Sequence, residues 1–261
     1  MTYSFDIIGS KEKSVAVVEL RDENSGEKEV AEQILKRHKN VVSVLKKVSE
    51  RQGVMRTREY QLILGDSNTE VVHKESNCKL KLDITKAYFS NREVTERLKI
   101  AEMTKPDENV LVMFGGVAPY AIVIAKHQKS VNKVVSIEIN PKAHGYAVEN
   151  VRLNKLQDKV FPILADVNKK CKDLFGQFDR VAMPLPHEAI NYLDLAVKCL
   201  KPKGGIIHLY IIEHEDKVEE KAGEIAKKIG AKSHKIRKVL PYSPRTYKYC
   251  IDVKVARSRG V

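Results

Sequence analysis

Residues 110–141 read VLVMFGGVAPYAIVIAKHQKSVNKVVSIEINP, and the order of their parts decides the fold. Val110–Met113 is a short apolar strand, Gly115-Gly116 permit a tight turn, and Tyr120–Lys126 reads as a helix. Lys133–Ile139 is a second strand, and Pro141 suits the first position of a helix running to about Asn154. Upstream, Val94, Leu98 and Ala101 recur at helical spacing, so Glu93–Met103 is expected to be an amphipathic helix. Downstream, strands are predicted at Val160–Leu164, Arg180–Met183 and Gly205–Ile212. Between the last two lies a helix with Ala189, Leu193, Ala196, Val197 and Leu200 on one face. Strands alternating with helices predict a parallel, doubly wound sheet. A helix near Val218–Ile229 follows, and Lys235–Leu240 faces Tyr247–Lys254 across Tyr242-Ser243-Pro244 as a hairpin closing the sheet edge.

The first residues have a different character. Val15–Leu20, Val41–Val48, Arg58–Leu64, Val71–His73 and Lys79–Ile84 read as strands, and Glu29–Arg37 as a helix. The expected division is therefore a small α+β domain at 1–89 and a larger α/β domain at 90–261.

The chain has 261 residues and a net charge of +13. No apolar run approaches the ~20 residues of a membrane span, and Met1–Ile8 lacks the regions of a signal peptide. Cys78, Cys171, Cys199 and Cys250 form no C-x-x-C pair, and the histidines show no metal-ligand spacing. We expect a cytoplasmic monomer with reduced thiols, no metal and no membrane partner. Residues 217–261 carry 13 Lys+Arg against 4 Asp+Glu. That excess points to a polyanion, because clustered cations gain affinity by releasing counterions from phosphates.

Ligands of open parallel sheets bind beyond the carboxyl ends of the strands. There the 113–119 loop offers glycines for close backbone approach. Glu138, ending the second strand, is placed to accept from ribose hydroxyls, and Asp166, after the third, to meet an adenine amino group. Pro184-Leu185-Pro186 ends the fourth, beside the reacting end of such a ligand. There is no G-x-G-x-x-G to suggest a nicotinamide or flavin.

These residues carry a resemblance. Arg56-Thr57-Arg58-Glu59, His73-Lys74-Glu75, 83–90, Thr95-Glu96-Arg97, 113–119, Glu138–Pro141, Asp166-Val167, Met183–Pro186, Gly204–Tyr210 and Tyr242–Tyr247 occur in collinear order. With them the chain resembles the archaeal and eukaryotic tRNA (guanine-N1)-methyltransferases acting at position 37. The resemblance implies a Rossmann-like class I methyltransferase domain at 90–261 with a mostly parallel seven-stranded sheet, preceded by a substrate-positioning domain at 1–89, with S-adenosylmethionine as methyl donor and tRNA as partner. It implies cofactor contacts from Tyr88, Phe114, Gly115, Val117, Glu138, Ile139, Asn140, Asp166, Val167 and Pro184. By the same resemblance Glu96 is the base that removes the N1 proton, Arg56 holds the O6 side, and Pro184 and Pro186 wall the target base. Arg92, Lys235, Arg237, Lys238 and Arg245 are candidates for RNA contacts. The family usually has Asp where Val112 stands and Gly where Ala118 stands. Pro184, where Asn is common, is similar to a branch that also methylates C7 of a tricyclic wyosine precursor. Two other readings stay open: an aminocarboxypropyl transferase of wyosine biosynthesis, and a non-catalytic RNA-binding protein.

Overall fold

A computed structural model of the chain describes residues 3–20, 26–49, 53, 55 and 58–256. In chain order the first elements are β1 (Tyr3–Gly9), β2 (Ser14–Leu20), α1 (Glu27–Arg37), β3 (Val41–Lys47), β4 (Tyr60–Gly65), β5 (Glu70–Glu75) and β6 (Cys78–Asp83). Next come α2 (Val94–Met103), β7 (Asn109–Met113), α3 (Pro119–His127), β8 (Lys133–Glu138), α4 (Pro141–Leu153) and β9 (Val160–Leu164). The chain continues with α5 (Val167–Lys170), β10 (Arg180–Met183), α6 (Leu193–Cys199), β11 (Gly205–His214), α7 (Val218–Lys228), β12 (Ala231–Ser243) and β13 (Thr246–Val255).

The first four strands form one sheet in the order β1-β2-β3-β4, with β2 and β3 parallel across the α1 crossover. α1 lays Val30, Ala31 and Ile34 on Ala16, Val18 and Val44, which closes a small core. β5 and β6 make a hairpin whose turn residues, Ser76 and Asn77, both have positive φ, the turn that matches strand twist. The expected division after residue 89 places this hairpin with the first domain. The hairpin's first strand is tied to β1, where Gly9 N–H donates to His73 Nδ1 at 3.2 Å, and its second to α4: Lys79 and Lys81 N–H groups donate to Asn154 and Asn150 Oδ1 at 2.9 and 2.6 Å. The same asparagine amides donate back to the Lys79 and Lys81 carbonyls.

The large sheet runs β12-β13-β11-β10-β7-β8-β9, parallel except for β13, which is antiparallel to both its neighbours. β7, β8 and β10 are short and wholly or mostly buried, as strands covered by helices on both faces must be, whereas the edge strand β9 exposes Phe161 and Leu164. α3 is buried from Tyr120 to Ala125, so it is apolar all round and lies between the sheet and the hairpin layer. Chain order reverses between β7 and β10, and the crevice beyond their carboxyl ends is where a ligand fits. Among the described residues, no helix is long and apolar enough to cross a membrane.

Candidate active site

The 114–118 loop turns sharply because Phe114, Gly116 and Ala118 all adopt left-handed φ, at 61°, 56° and 64°. Only glycine accepts that region without steric cost, so Phe114 and Ala118 are strained. Strain of this kind persists where the surroundings over-determine it, and often at ligand sites. Gly115 serves packing: an added Cβ would stand 2.0 Å from Ser136 Oγ. At Gly116 it would meet only the Tyr88 carbonyl, at 3.6 Å. The backbone is therefore open there to a ligand.

Glu138 locks this loop. Its Oε2 accepts from Gly116 N–H at 2.6 Å, and its Oε1 from Asn140 N–H at 2.8 Å. Burial pushes its carboxyl above the usual range, against the pull of those N–H donors. Asn140 caps α4 by accepting from Lys142 N–H at 2.9 Å, donates its amide to the Lys86 carbonyl, and leaves Pro141 as first helical residue. Asp166 caps α5 in the same way through Asn168 N–H, at 2.8 Å.

These groups share one cavity of about 760 Å³, within the range of small-molecule and cofactor sites. Tyr88, Phe114, Glu138, Ile139, Asn140, Asp166, Val167, Pro184 and Pro186 line it. Gly115 and Val117 do not: Gly115 packs on Ser136, and Val117 is buried with its carbonyl taken by the Asn150 amide. Gly116 takes their place. Arg56 lies outside the described residues; Arg58, two residues on, lines the cavity with Met55.

Glu96 is placed differently from expectation. It is 7% exposed and stands outside the cavity lining, one helical turn beyond Glu93. Tyr210 Oη and Arg237 Nη2 both donate to its Oε1, at 2.7 and 2.6 Å; among the described residues no donor reaches Oε2. Arg237, expected on phosphate, thus faces inward and also pairs with Asp252. Behind Asp252 the chain of contacts continues. His208 Nδ1 lies 2.6 Å from Asp252 Oδ1, and Arg180 Nη1 lies 2.6 Å from His208 Nε2. Burial, then the Arg180 and Arg237 charges, holds His208 neutral, its pKa well below the usual range. His208, Cys250 and Asp252 could together offer three metal ligands, but guanidinium groups engage the imidazole and the carboxylate.

The other RNA candidates lie at the surface. Lys235 and Lys238 are exposed on β12, with Lys238 Nζ 3.6 Å from the Tyr247 ring centroid. Arg92 pairs with Asp6, and Arg245, at the hairpin tip, with Glu215 and Asp216.

The sequence reading missed Glu93 and Lys248, which also line the cavity. Glu93 immediately precedes α2 and Lys248 lies on β13, with Nζ 2.8 Å from Glu93 Oε1 and both side chains under 10% exposed. Burial raises the Glu93 carboxyl, but the Lys248 and Arg97 charges and the Tyr120 hydroxyl outweigh it and hold it below the usual range. A lysine among eight others after residue 216 gives no local signal of this role.

The comparisons with known proteins agree with this geometry. Residues 71–239 match the TRM5/TYW2 methyltransferase domain, and residues 1–69 the TYW2 N-terminal domain. The two matches meet at the start of β5. The chain is 38% identical to the tRNA (guanine(37)-N(1))-methyltransferase Trm5b of Pyrococcus abyssi, covering 97% of this chain and 75% of that protein. It is 33% identical to the tRNA(Phe) (4-demethylwyosine(37)-C(7)) aminocarboxypropyltransferase of Methanocaldococcus jannaschii, covering 96% and 100%. The solved complex of aTrm5 and tRNALeu superposes with a TM-score of 0.83 at 32% identity, over 97% of this chain and 72% of that one. With the loop, the Glu138 lock and the proline wall in one cavity, and these matches across both units, the chain belongs to the TRM5/TYW2 methyltransferase family.

Proposed function

We propose that the protein transfers a methyl group from S-adenosylmethionine to N1 of guanosine 37 in tRNA. The observation that carries this reading is the convergence of Glu138, Asp166, the open backbone at Gly116 and the Pro184–Pro186 turn on a single cavity. The Trm5b relative and the tRNA-bound neighbour support the nucleic-acid side of it.

The residues present fit the cofactor. Glu138 would take the ribose hydroxyls, Asp166 the adenine amino group, and the 114–116 loop would lie along the sulfur. When bound, S-adenosylmethionine supplies a methyl group already activated toward a nucleophile. The protein's tasks are then alignment and proton removal. Guanine N1 carries a proton, so a base is needed there and a donor where charge moves onto O6. Glu96 is the proposed base, using the oxygen that Tyr210 and Arg237 leave open. Arg237 shares β12 with Leu240, Pro241 and Tyr242, which line the cavity. Movement of that strand's end on RNA binding would open the path to Glu96. Arg56 is the proposed O6 donor, by resemblance. Pro184 and Pro186 wall the extruded base, whose unstacking costs a few kcal/mol, offset by phosphate contacts from Lys235, Lys238, Arg92 and Arg245. Pro184 also supports a second methylation, at C7 of the tricyclic precursor imG-14, a dual activity named for a relative from Nanoarchaeum equitans at 31% identity.

Unmodified tRNA transcripts carrying G37 or A37 test the target. Labelled methyl is expected only in the G37 transcript; equal incorporation into the A37 transcript would move the reaction to another nucleotide.

A further inference from the structure

The buried Glu93–Lys248 pair has no task in the mechanism above, yet it lines the cavity. Glu93 also accepts from Tyr88 Oη at 3.2 Å and from Tyr120 Oη at 3.1 Å. Tyr120 lies in the first turn of α3, directly after the glycine loop, and the Tyr88 carbonyl lies over Gly116. Two tyrosines therefore connect the pair to the loop, on the side away from Asp166. The polar groups along the cavity then fall in the order Asp166, Glu138, Gly116, Glu93 with Lys248. S-adenosylmethionine has the order adenine, ribose, sulfur, amino acid.

We propose that Glu93 and Lys248 anchor the amino-acid end of S-adenosylmethionine, the carboxylate taking its ammonium group and the lysine its carboxylate. The inference rests on the cofactor of the proposed function and not on its RNA substrate. A carboxylate and an ammonium held 2.8 Å apart are the charge complement of an α-amino acid. Stability alone gives little reason to keep them, because apolar residues of similar volume often replace a buried ion pair without loss. Anchoring the tail also has a chemical consequence. Gripping the amino acid at its far end would fix the direction in which the sulfonium's methyl group points.

The test is calorimetric and uses the whole chain with two ligands. S-adenosylhomocysteine carries the amino acid; 5′-methylthioadenosine has the same nucleoside and sulfur without it. Wild type is expected to bind the former roughly 100-fold tighter, the scale of two charge-assisted contacts. In the double variant Glu93→Leu/Lys248→Met that preference falls to a few-fold, while 5′-methylthioadenosine binds as in wild type. A preference unchanged in the double variant would overturn the proposal and leave the pair as a structural tie or a reader of the target base. If that variant fails to fold, Glu93→Gln keeps the shape: wild type loses about 10-fold on removal of the ligand's amino group, and Glu93→Gln loses none. An equal loss in both proteins would contradict the assignment. These results are independent of methyl transfer, so an enzyme inactive on tRNA would sink the proposed function and leave this one standing.

Discussion

At the residue scale, conformation and charge explain positions that spacing alone could not. The sequence shows Gly115-Gly116, but the left-handed positions are 114, 116 and 118. Ala118 stands where a Cβ is penalised by about 1–2 kcal/mol, partly recovered through the less flexible unfolded chain. Ala118→Gly is expected to stabilise the protein by roughly 0.5–1 kcal/mol in denaturant titration; destabilisation would mean the loop relies on that methyl group's packing. Glu96→Gln is expected to lower turnover at least 100-fold with tRNA affinity retained. Undiminished turnover would remove Glu96 as base. His208 sets a pH effect. Its unfolded pKa is about 6.5, whereas burial and two guanidinium groups keep it neutral in the fold. Below pH 6.5 the unfolded chain binds a proton that the folded chain refuses, so stability falls by up to ~1.4 kcal/mol per pH unit. Equilibrium unfolding between pH 7 and 5.5 should show this slope in wild type and a shallower one in His208→Gln. Glu138 was legible as a cavity group because it ends a strand just before a helix-starting proline, whereas Asn140 entered only through the resemblance. Glu93 and Lys248 were not, since each acquires meaning only from a partner 155 residues away.

At the element scale, several motifs that carry the resemblance prove to be joints. Arg97 of α2 grips Glu75 of β5 through two hydrogen bonds of 2.6 and 2.5 Å, both side chains about 2% exposed. Arg97 also donates to the Ser90 carbonyl at 3.0 Å. This fixes the hairpin to the helix that bears Glu96. Removing one partner strands a buried charge, so Glu75→Gln is expected to cost about 3 kcal/mol by chemical denaturation; a loss below 1 kcal/mol would mean solvent reaches Arg97. The β12–β13 hairpin was legible from its alternation and its Tyr-Ser-Pro turn. Which of its cations face water was not: Lys235 and Lys238 point out, and Arg237 points in. Replacing both lysines by glutamine should lower the slope of log affinity for tRNA against log salt by roughly 1–2. An unchanged slope would place the RNA on another face. β1 and α5 escaped the reading, β1 because it is an edge strand with mixed burial and α5 because it is one turn long.

At the scale of the whole molecule, two units meet around one cavity. The alternation of strands and helices was enough to predict a parallel, doubly wound sheet, because parallel strands need crossovers and crossovers need helices; its seven strands were implied by the family resemblance. The β5–β6 hairpin reads like the strands before it, and in the fold it joins both units: His73 accepts from Gly9, and the Lys79 and Lys81 backbone meets two asparagines of α4 and its cap. The same family holds methyl and aminocarboxypropyl transferases at similar identity to this chain, so overall likeness does not choose between them. The choice falls to which carbon–sulfur bond of the cofactor is broken. The most direct measurement is therefore the mass of the nucleoside formed when S-adenosylmethionine and unmodified tRNA are incubated with the protein. The account predicts 1-methylguanosine at position 37. An aminocarboxypropyl adduct, or no modified nucleoside with tRNA still bound, would contradict it.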